Sequence, residues 1–194
     1  MHYFRGELRG SSILLLVGLL LWSGPPVRAD EQLWAAIRAG DAVVLIRHAL
    51  APGVGDPPGF RLEDCATQRN LSEQGRRQAQ AIGATFRRNG ITAARVLSSR
   101  WCRCLETARL LDLGAVEPFP SLDSFFEDPG RADAQTAALR AFLDSPHAGP
   151  LRVLVTHQVN ITALTGVTPR SGEMIVVQPV AGGDVRLVGR LGGD

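Results

Sequence analysis

The chain has 194 residues, of which 45% are hydrophobic, and this length and composition suit one domain with a full core. All 21 basic residues are arginine, so a Walker-type phosphate loop, a Schiff-base enzyme and a Ser-x-x-Lys acyl-transfer site are excluded. Setting aside Arg5, Arg9, Arg28 and Glu7 near the start leaves 18 charges of each sign, without the basic excess of a nucleic-acid-binding protein.

The first residues have the pattern of a secretory signal peptide. Two arginines precede an uncharged apolar run over residues 13–22, and Val27 and Ala29 are the small residues expected before a cleavage site. The run is shorter than the roughly 20 apolar residues of a spanning helix, so a retained anchor is the less favoured alternative. We expect a signal peptide over residues 1–29, a single domain over 30–194, and a periplasmic or secreted protein.

Strand and helix patterns alternate along the rest of the chain. In chain order they are a strand at 43–46, a helix at 72–89, a strand at 95–97, a helix after Ser99, a helix at 132–143, a strand at 151–156, and strands at 174–177 and 185–188. The first strand is a continuous apolar run, which is typical of burial on both faces. The alternation predicts a three-layer α/β/α domain with a mostly parallel central sheet.

Polar and charged residues follow three of the predicted strands at the points where the strands end. They are Arg47 and His48 after the first strand, Ser99 and Arg103 after the second, and His157 and Gln158 after the third. Because the carboxyl ends of parallel strands meet at one edge of a sheet, we expect these residues to share a pocket. Each alone has an ordinary interpretation as a surface arginine or a core histidine, so the prediction depends on the joint pattern.

This combination of side chains favours the binding of a phosphate group. Arginine forks bind phosphate oxygens in a bidentate manner, and the amino end of the helix after Ser99 would add free N–H groups. Two histidines with an ordinary pKa of about 6.5 can divide the work, one neutral and one charged. A neutral imidazole can attack phosphorus while the arginines stabilise the transition state, so we expect no metal and no cofactor.

The three cysteines are an odd number, so at least one remains unpaired. Cys102 and Cys104 point to different faces of a predicted helix and should not bridge each other. A bridge from Cys65 to either of them stays open. None of the three has the arginine that a cysteine phosphatase carries six residues later.

Four segments form a series along the mature chain: VLIRHA at 44–49, NLSEQGRRQA at 70–79, SSRWCRCLETA at 98–108, and the strand with the second histidine at 153–158. Their order and spacing resemble those of the histidine phosphatase superfamily, over essentially the full mature length. The resemblance implies the phosphoglycerate-mutase-like fold. One departure is Ala49, where the family has glycine after the first histidine.

The resemblance also implies roles for the residues at the strand ends. His48 would be the phosphorylated nucleophile, Arg47 and Arg103 would bind the phosphoryl group, and His157 would complete the pocket. Gln158 and Ser99 would add contacts to the substrate. The family's proton donor is an acidic residue on a loop that here follows the strand-like segment 116–119, where Asp123 is the first candidate, Glu127 the second, and a solvated loop the alternative for both.

The function predicted from these features is that of an exported, metal-independent phosphatase that hydrolyses phosphate monoesters through a phosphohistidine. The alternatives are a catalytically weak envelope protein that binds phosphorylated glycans or headgroups, and a phosphomutase, although 165 mature residues leave little room for a mutase's insertions. We expect a small phosphorylated partner, such as an envelope sugar phosphate, no nucleic acid, and no membrane span after signal removal. Specificity would lie in loops 50–64 and 120–131.

Overall fold

The computed structural model describes residues 1–2 and 29–192. Apart from its first two residues and Ala29, the predicted signal peptide lies outside the described residues. No helix in the described ranges is long and apolar enough to cross a membrane.

A six-stranded sheet forms the centre of the domain. In chain order the elements are α1 (Ala29–Ala39), β1 (Val43–Arg47), α2 (Glu73–Arg88), β2 (Arg95–Ser98), α3 (Cys102–Leu111), β3 (Val116–Pro118), α4 (Ala132–Asp144), β4 (Arg152–Thr156), α5 (Gln158–Thr165), β5 (Met174–Val180) and β6 (Asp184–Leu191). The strand order is β3-β2-β4-β1-β5-β6, in which β3, β2, β4 and β1 run parallel. Strands β5 and β6 pair antiparallel at one side. The predicted α/β class with a mostly parallel sheet is confirmed.

Helices cover both faces of the sheet. Since successive side chains of a strand point to opposite faces, each buried strand contributes to two cores. In β1, Val44 and Ile46 pack into a core shared with α1, α2 and α3. Val43 and Leu45 pack into a second core on the other face, shared with α4 and α5. Each of these fully buried aliphatic side chains contributes about 1.5–3 kcal/mol relative to an exposed one. This double burial explains the unbroken apolar run of the strand.

Helix α2 holds the loop after β1 in place. Ser72 caps the amino end of the helix, because its hydroxyl accepts the N–H of Gly75. A Cβ on Gly75 would lie 2.1 Å from the carbonyl oxygen of Leu50, and one on Gly83 would lie 2.1 Å from that of Leu111. The two glycines therefore let the helix lie directly against the backbone of that loop and of the end of α3.

Helices α1 and α5 were not predicted from the sequence. Helix α5 has only eight residues and begins almost directly after β4. Its apolar pattern is therefore too short to be distinguished in the sequence from that of the preceding strand. Helix α3 begins at Cys102 rather than directly after Ser99. The residues between them form a turn in which the N–H of Arg100 donates to the carboxylate of Asp123, at 2.9 Å.

Candidate active site

The carboxyl ends of β2, β4 and β1 lie side by side and open into a cavity of about 160 Å³. Five of the residues predicted to share a pocket line it, namely Arg47, His48, Arg103, His157 and Gln158. Glu127, the second candidate for the proton donor, lines it as well. The structure thus brings most of the predicted site together, while Ser99 and Asp123 lie outside the lining.

His48 presents a neutral imidazole to this pocket. Its Nδ1 atom lies 2.8 Å from the carbonyl oxygen of Ala49, which can only accept, so we assign the ring hydrogen to Nδ1 and the free lone pair to Nε2. Burial, reinforced by the positive charge of Arg103, lowers the pKa of His48 to about 3. Nε2 is therefore unprotonated at neutral pH and can act as a nucleophile.

Ala49 fits the position that the family gives to glycine. Its N–H donates to the hydroxyl of Thr107 at 3.0 Å, and its methyl group packs in a small core with Ala51, Leu71 and Ala79. The methyl group thus points into the protein, away from the pocket, while the N–H is already bonded within the fold.

His157 is held from behind by Ser99. The ring centroids of His157 and His48 are 5.5 Å apart, and Nε2 of His157 lies 2.8 Å from the hydroxyl of Ser99. The structure places the fully buried Ser99 side chain behind this ring and outside the pocket lining, so its contact with substrate stays a prediction. Burial, reinforced by the neighbouring positive charges, lowers the pKa of His157 well below its ordinary value.

Two arginines beside His48 carry unpartnered donors. Arg47 donates through Nη1 to the carbonyl oxygen of Pro169 at 3.0 Å, and Arg103 through Nη1 to Asp56 at 2.8 Å. The buried Nε atom of each has no hydrogen-bond partner among the described residues. Leaving a buried charged donor unpaired costs free energy, which the oxygens of a bound anion would recover.

Asp56 and Arg69 belong to the pocket but were missed by the sequence analysis. The carboxylate of Asp56 accepts from Arg103, from the backbone N–H of Arg69 and from the indole of Trp101. Burial opposes its ionisation, but these hydrogen bonds outweigh burial and lower the pKa of Asp56. Arg69 donates through Nε to the carbonyl oxygen of Gly55 at 2.7 Å and through Nη1 to that of Ala51. The only sequence signal is an arginine directly before the 70–79 motif.

At the amino end of α3, Trp101 and Arg103 line the pocket, but the first N–H of the helix is not free for a ligand. The N–H of Cys102 donates to the side-chain oxygen of Gln68 at 3.0 Å. A disulfide joins Cys102 to Cys65, which resolves the open choice of bridge and ties the loop before α2 to α3, while Cys104 is a buried free thiol. The amino end of α5 also lines the pocket, through Gln158 and Val159.

The two candidate proton donors occupy different environments. Asp123 is fully buried, and its carboxylate accepts from the backbone N–H and the guanidinium of Arg100 at 2.9 and 2.8 Å. Asp123 lies outside the pocket lining, which favours Glu127 over Asp123 as the candidate that faces a bound substrate. Glu127 lies at the pocket wall beside Gly55, where a Cβ would be 2.8 Å from its Oε1 atom. Among the described residues, no cluster of three or more His, Cys, Asp or Glu side chains could hold a metal ion.

Comparison with known proteins agrees with this fold. The chain is 18% identical to the protein histidine phosphatase SixA solved with tungstate, covering 78% of this chain and 97% of that one with a TM-score of 0.57. A putative phosphohistidine phosphatase SixA from Agrobacterium tumefaciens is 19% identical over 80% and 99% of the two chains, with a TM-score of 0.56. A mycobacterial glucosyl-3-phosphoglycerate phosphatase solved with VO3 is 19% identical over 76% and 96%, with a TM-score of 0.56.

No curated protein sequence matches the chain. Residues 43–141, about half of the chain, match the sequence pattern of the histidine phosphatase superfamily (branch 1). This stretch holds β1 with His48, β2, and α3 with Arg103. The chain belongs to the histidine phosphatase superfamily.

Proposed function

We propose that this protein is a phosphatase that hydrolyses phosphate monoesters through a phosphohistidine on His48. The observation that carries the proposal is the neutral Nε2 of His48 beside Arg47 and Arg103, whose buried Nε atoms have no partner among the described residues. A nucleophile without charge and two preorganised cations are what in-line attack on a phosphoryl group requires.

The reaction proceeds in two steps. In the first, Nε2 of His48 forms a bond to phosphorus while the bond from phosphorus to the leaving oxygen breaks and Glu127 donates a proton to that oxygen. In the second, the Glu127 carboxylate takes a proton from water, whose oxygen attacks the phosphohistidine and releases inorganic phosphate. Arg47, Arg103 and His157 hold the phosphoryl oxygens throughout, with Gln158 at the pocket wall.

An assay with p-nitrophenyl phosphate tests the proposal. We expect hydrolysis in buffer containing a chelator, and inhibition by vanadate, because arginines supply the charge that a metal would otherwise provide. Two similar structures were solved with tungstate and VO3, which supports the choice of an oxyanion inhibitor. Tight binding of phosphate esters without turnover would contradict the proposal and favour the binding-protein alternative.

Replacing Glu127 by glutamine is expected to slow hydrolysis of an alkyl phosphate by about 10²–10⁴-fold, the usual contribution of a general acid. The loss with p-nitrophenyl phosphate should be much smaller, because p-nitrophenolate leaves without a proton. The matched control is Asp128→Asn, the next residue on the same exposed loop, which should change neither rate. An equal loss for both substrates would argue against Glu127 as the proton donor.

Export is part of the proposal and depends on the predicted signal peptide. An exported phosphatase would meet small phosphate esters outside the cytoplasm, among them sugar phosphates of the cell envelope. Cell fractionation with an antibody against the protein tests this part. Recovery of the full-length chain in the cytoplasm would overturn it and leave the chemistry of the site untouched.

A further inference from the structure

Two exposed apolar side chains lie at the mouth of the pocket. Val54 is 85% exposed and Phe126 50% exposed, and both line the cavity. Their loops meet at Gly55, where a Cβ would lie 3.8 Å from the Phe126 ring. Single exposed apolar residues are ordinary on a protein surface, but two from different loops at one pocket mouth indicate a binding surface.

The arginines of the pocket lie beside the nucleophile His48 or are hydrogen-bonded within the fold. Among the described residues that line the cavity, the basic side chains other than histidine are Arg47, Arg69 and Arg103. Arg69 donates to backbone carbonyls of the 51–55 loop, and the other two flank His48. The charged group beside Phe126 and Val54 at the mouth is instead the carboxylate of Glu127. A second anion on the substrate would therefore meet a carboxylate and apolar surface.

We infer that the site selects phosphate monoesters whose leaving group is uncharged and apolar, such as an alkyl or aryl alcohol. Leaving groups that carry a carboxylate or a second phosphate are disfavoured. A neutral sugar as leaving group carries no second charge but also little apolar surface. Sugar phosphates should therefore rank between the apolar esters and the esters with a charged leaving group. This inference rests on the proposed function, because turnover of these esters requires the phosphatase activity. The preference among leaving groups can nevertheless be measured by binding alone.

Binding of phosphonates tests the selection without requiring catalysis, because their carbon–phosphorus bond is not hydrolysed. In calorimetry with the full protein, hexylphosphonate should bind at least about tenfold more tightly than 3-phosphonopropionate, since several methylenes leave water. Val54→Ser and Phe126→Ser should each weaken hexylphosphonate by roughly fivefold. The matched control is Leu187→Ser, an exposed apolar residue on β6 that does not line the pocket.

Kinetics provide the second arm. Hexyl phosphate, glucose 6-phosphate and 3-phosphoglycerate are all esters of primary alcohols, so differences in kcat/KM report recognition more than leaving-group reactivity. The expected order is hexyl phosphate, then glucose 6-phosphate, then 3-phosphoglycerate. Tighter binding of 3-phosphonopropionate, or a preference for either polar ester, would overturn the inference. Preferential binding of hexylphosphonate with no hydrolysis of any ester would support the inference and overturn the proposed function.

Discussion

Replacing His48 by alanine is expected to reduce kcat for p-nitrophenyl phosphate by at least about 10⁴-fold, as loss of a nucleophile does in other covalent enzymes. The residue directly follows β1 with its Nε2 lone pair free, whereas Nε2 of the other pocket imidazole, His157, is hydrogen-bonded to the hydroxyl of Ser99. The arginines remain in the variant, so phosphate should still bind, and calorimetry with inorganic phosphate checks this.

The matched control for this substitution is His147→Ala. His147 lies in a surface turn, where its Nε2 contacts the carbonyl oxygen of Pro150 at 2.8 Å, and it does not line the pocket. We expect wild-type activity from this variant. Full activity of the His48 variant, with the same thermal unfolding temperature as the wild type, would refute the assignment of the nucleophile.

Arg103→Lys is expected to reduce kcat/KM by about 10²–10³-fold, although the positive charge is kept. An ammonium group is a point charge and cannot reproduce the planar guanidinium fork, which bonds to Asp56 and would bond to phosphate at the same time. Arg103→Ala should cost more, about 10³–10⁵-fold, as with other arginines that stabilise phosphoryl transfer. Steady-state kinetics with p-nitrophenyl phosphate measure both losses.

Stability must be measured beside activity in these variants. Arg103 and Asp56 form a buried ion pair, so Arg103→Ala leaves a buried carboxylate with fewer partners and should also lower the free energy of unfolding. Arg109→Ala on the exposed side of the same helix is the control for α3 and should leave the rate unchanged. An Arg103→Lys variant with wild-type kcat/KM would show that the fork is not needed.

The sheet and most of the pocket could be predicted because their signals are local. The first strand is an unbroken apolar run, and α2 buries apolar or small residues at helical spacing, namely Gly75, Ala79, Ile82, Gly83 and Phe86. A parallel sheet brings its strand ends to one edge wherever the strands lie in the sheet. That rule was sufficient to place Arg47, His48 and His157 together.

The remaining features depend on contacts between segments that are distant in sequence. Ser99 turns behind His157, and Asp123 is held by Arg100, so neither reaches the pocket although both adjoin elements that do. Asp56 reaches the pocket only because the loop after β1 folds back onto α3. No periodicity or spacing in the sequence encodes these contacts, and a loop rich in glycine and proline gives no sign of its path.

The proposed phosphohistidine on His48 is tested most directly by trapping the phosphoenzyme. The protein is mixed with a ³²P-labelled phosphate monoester, quenched in alkali, where phosphohistidine survives, and digested for peptide mapping. We expect label on the peptide that contains His48, loss of the label in acid, and no label in the His48→Ala variant. Turnover without label on that peptide, or label on a peptide containing His157 alone, would contradict the proposal.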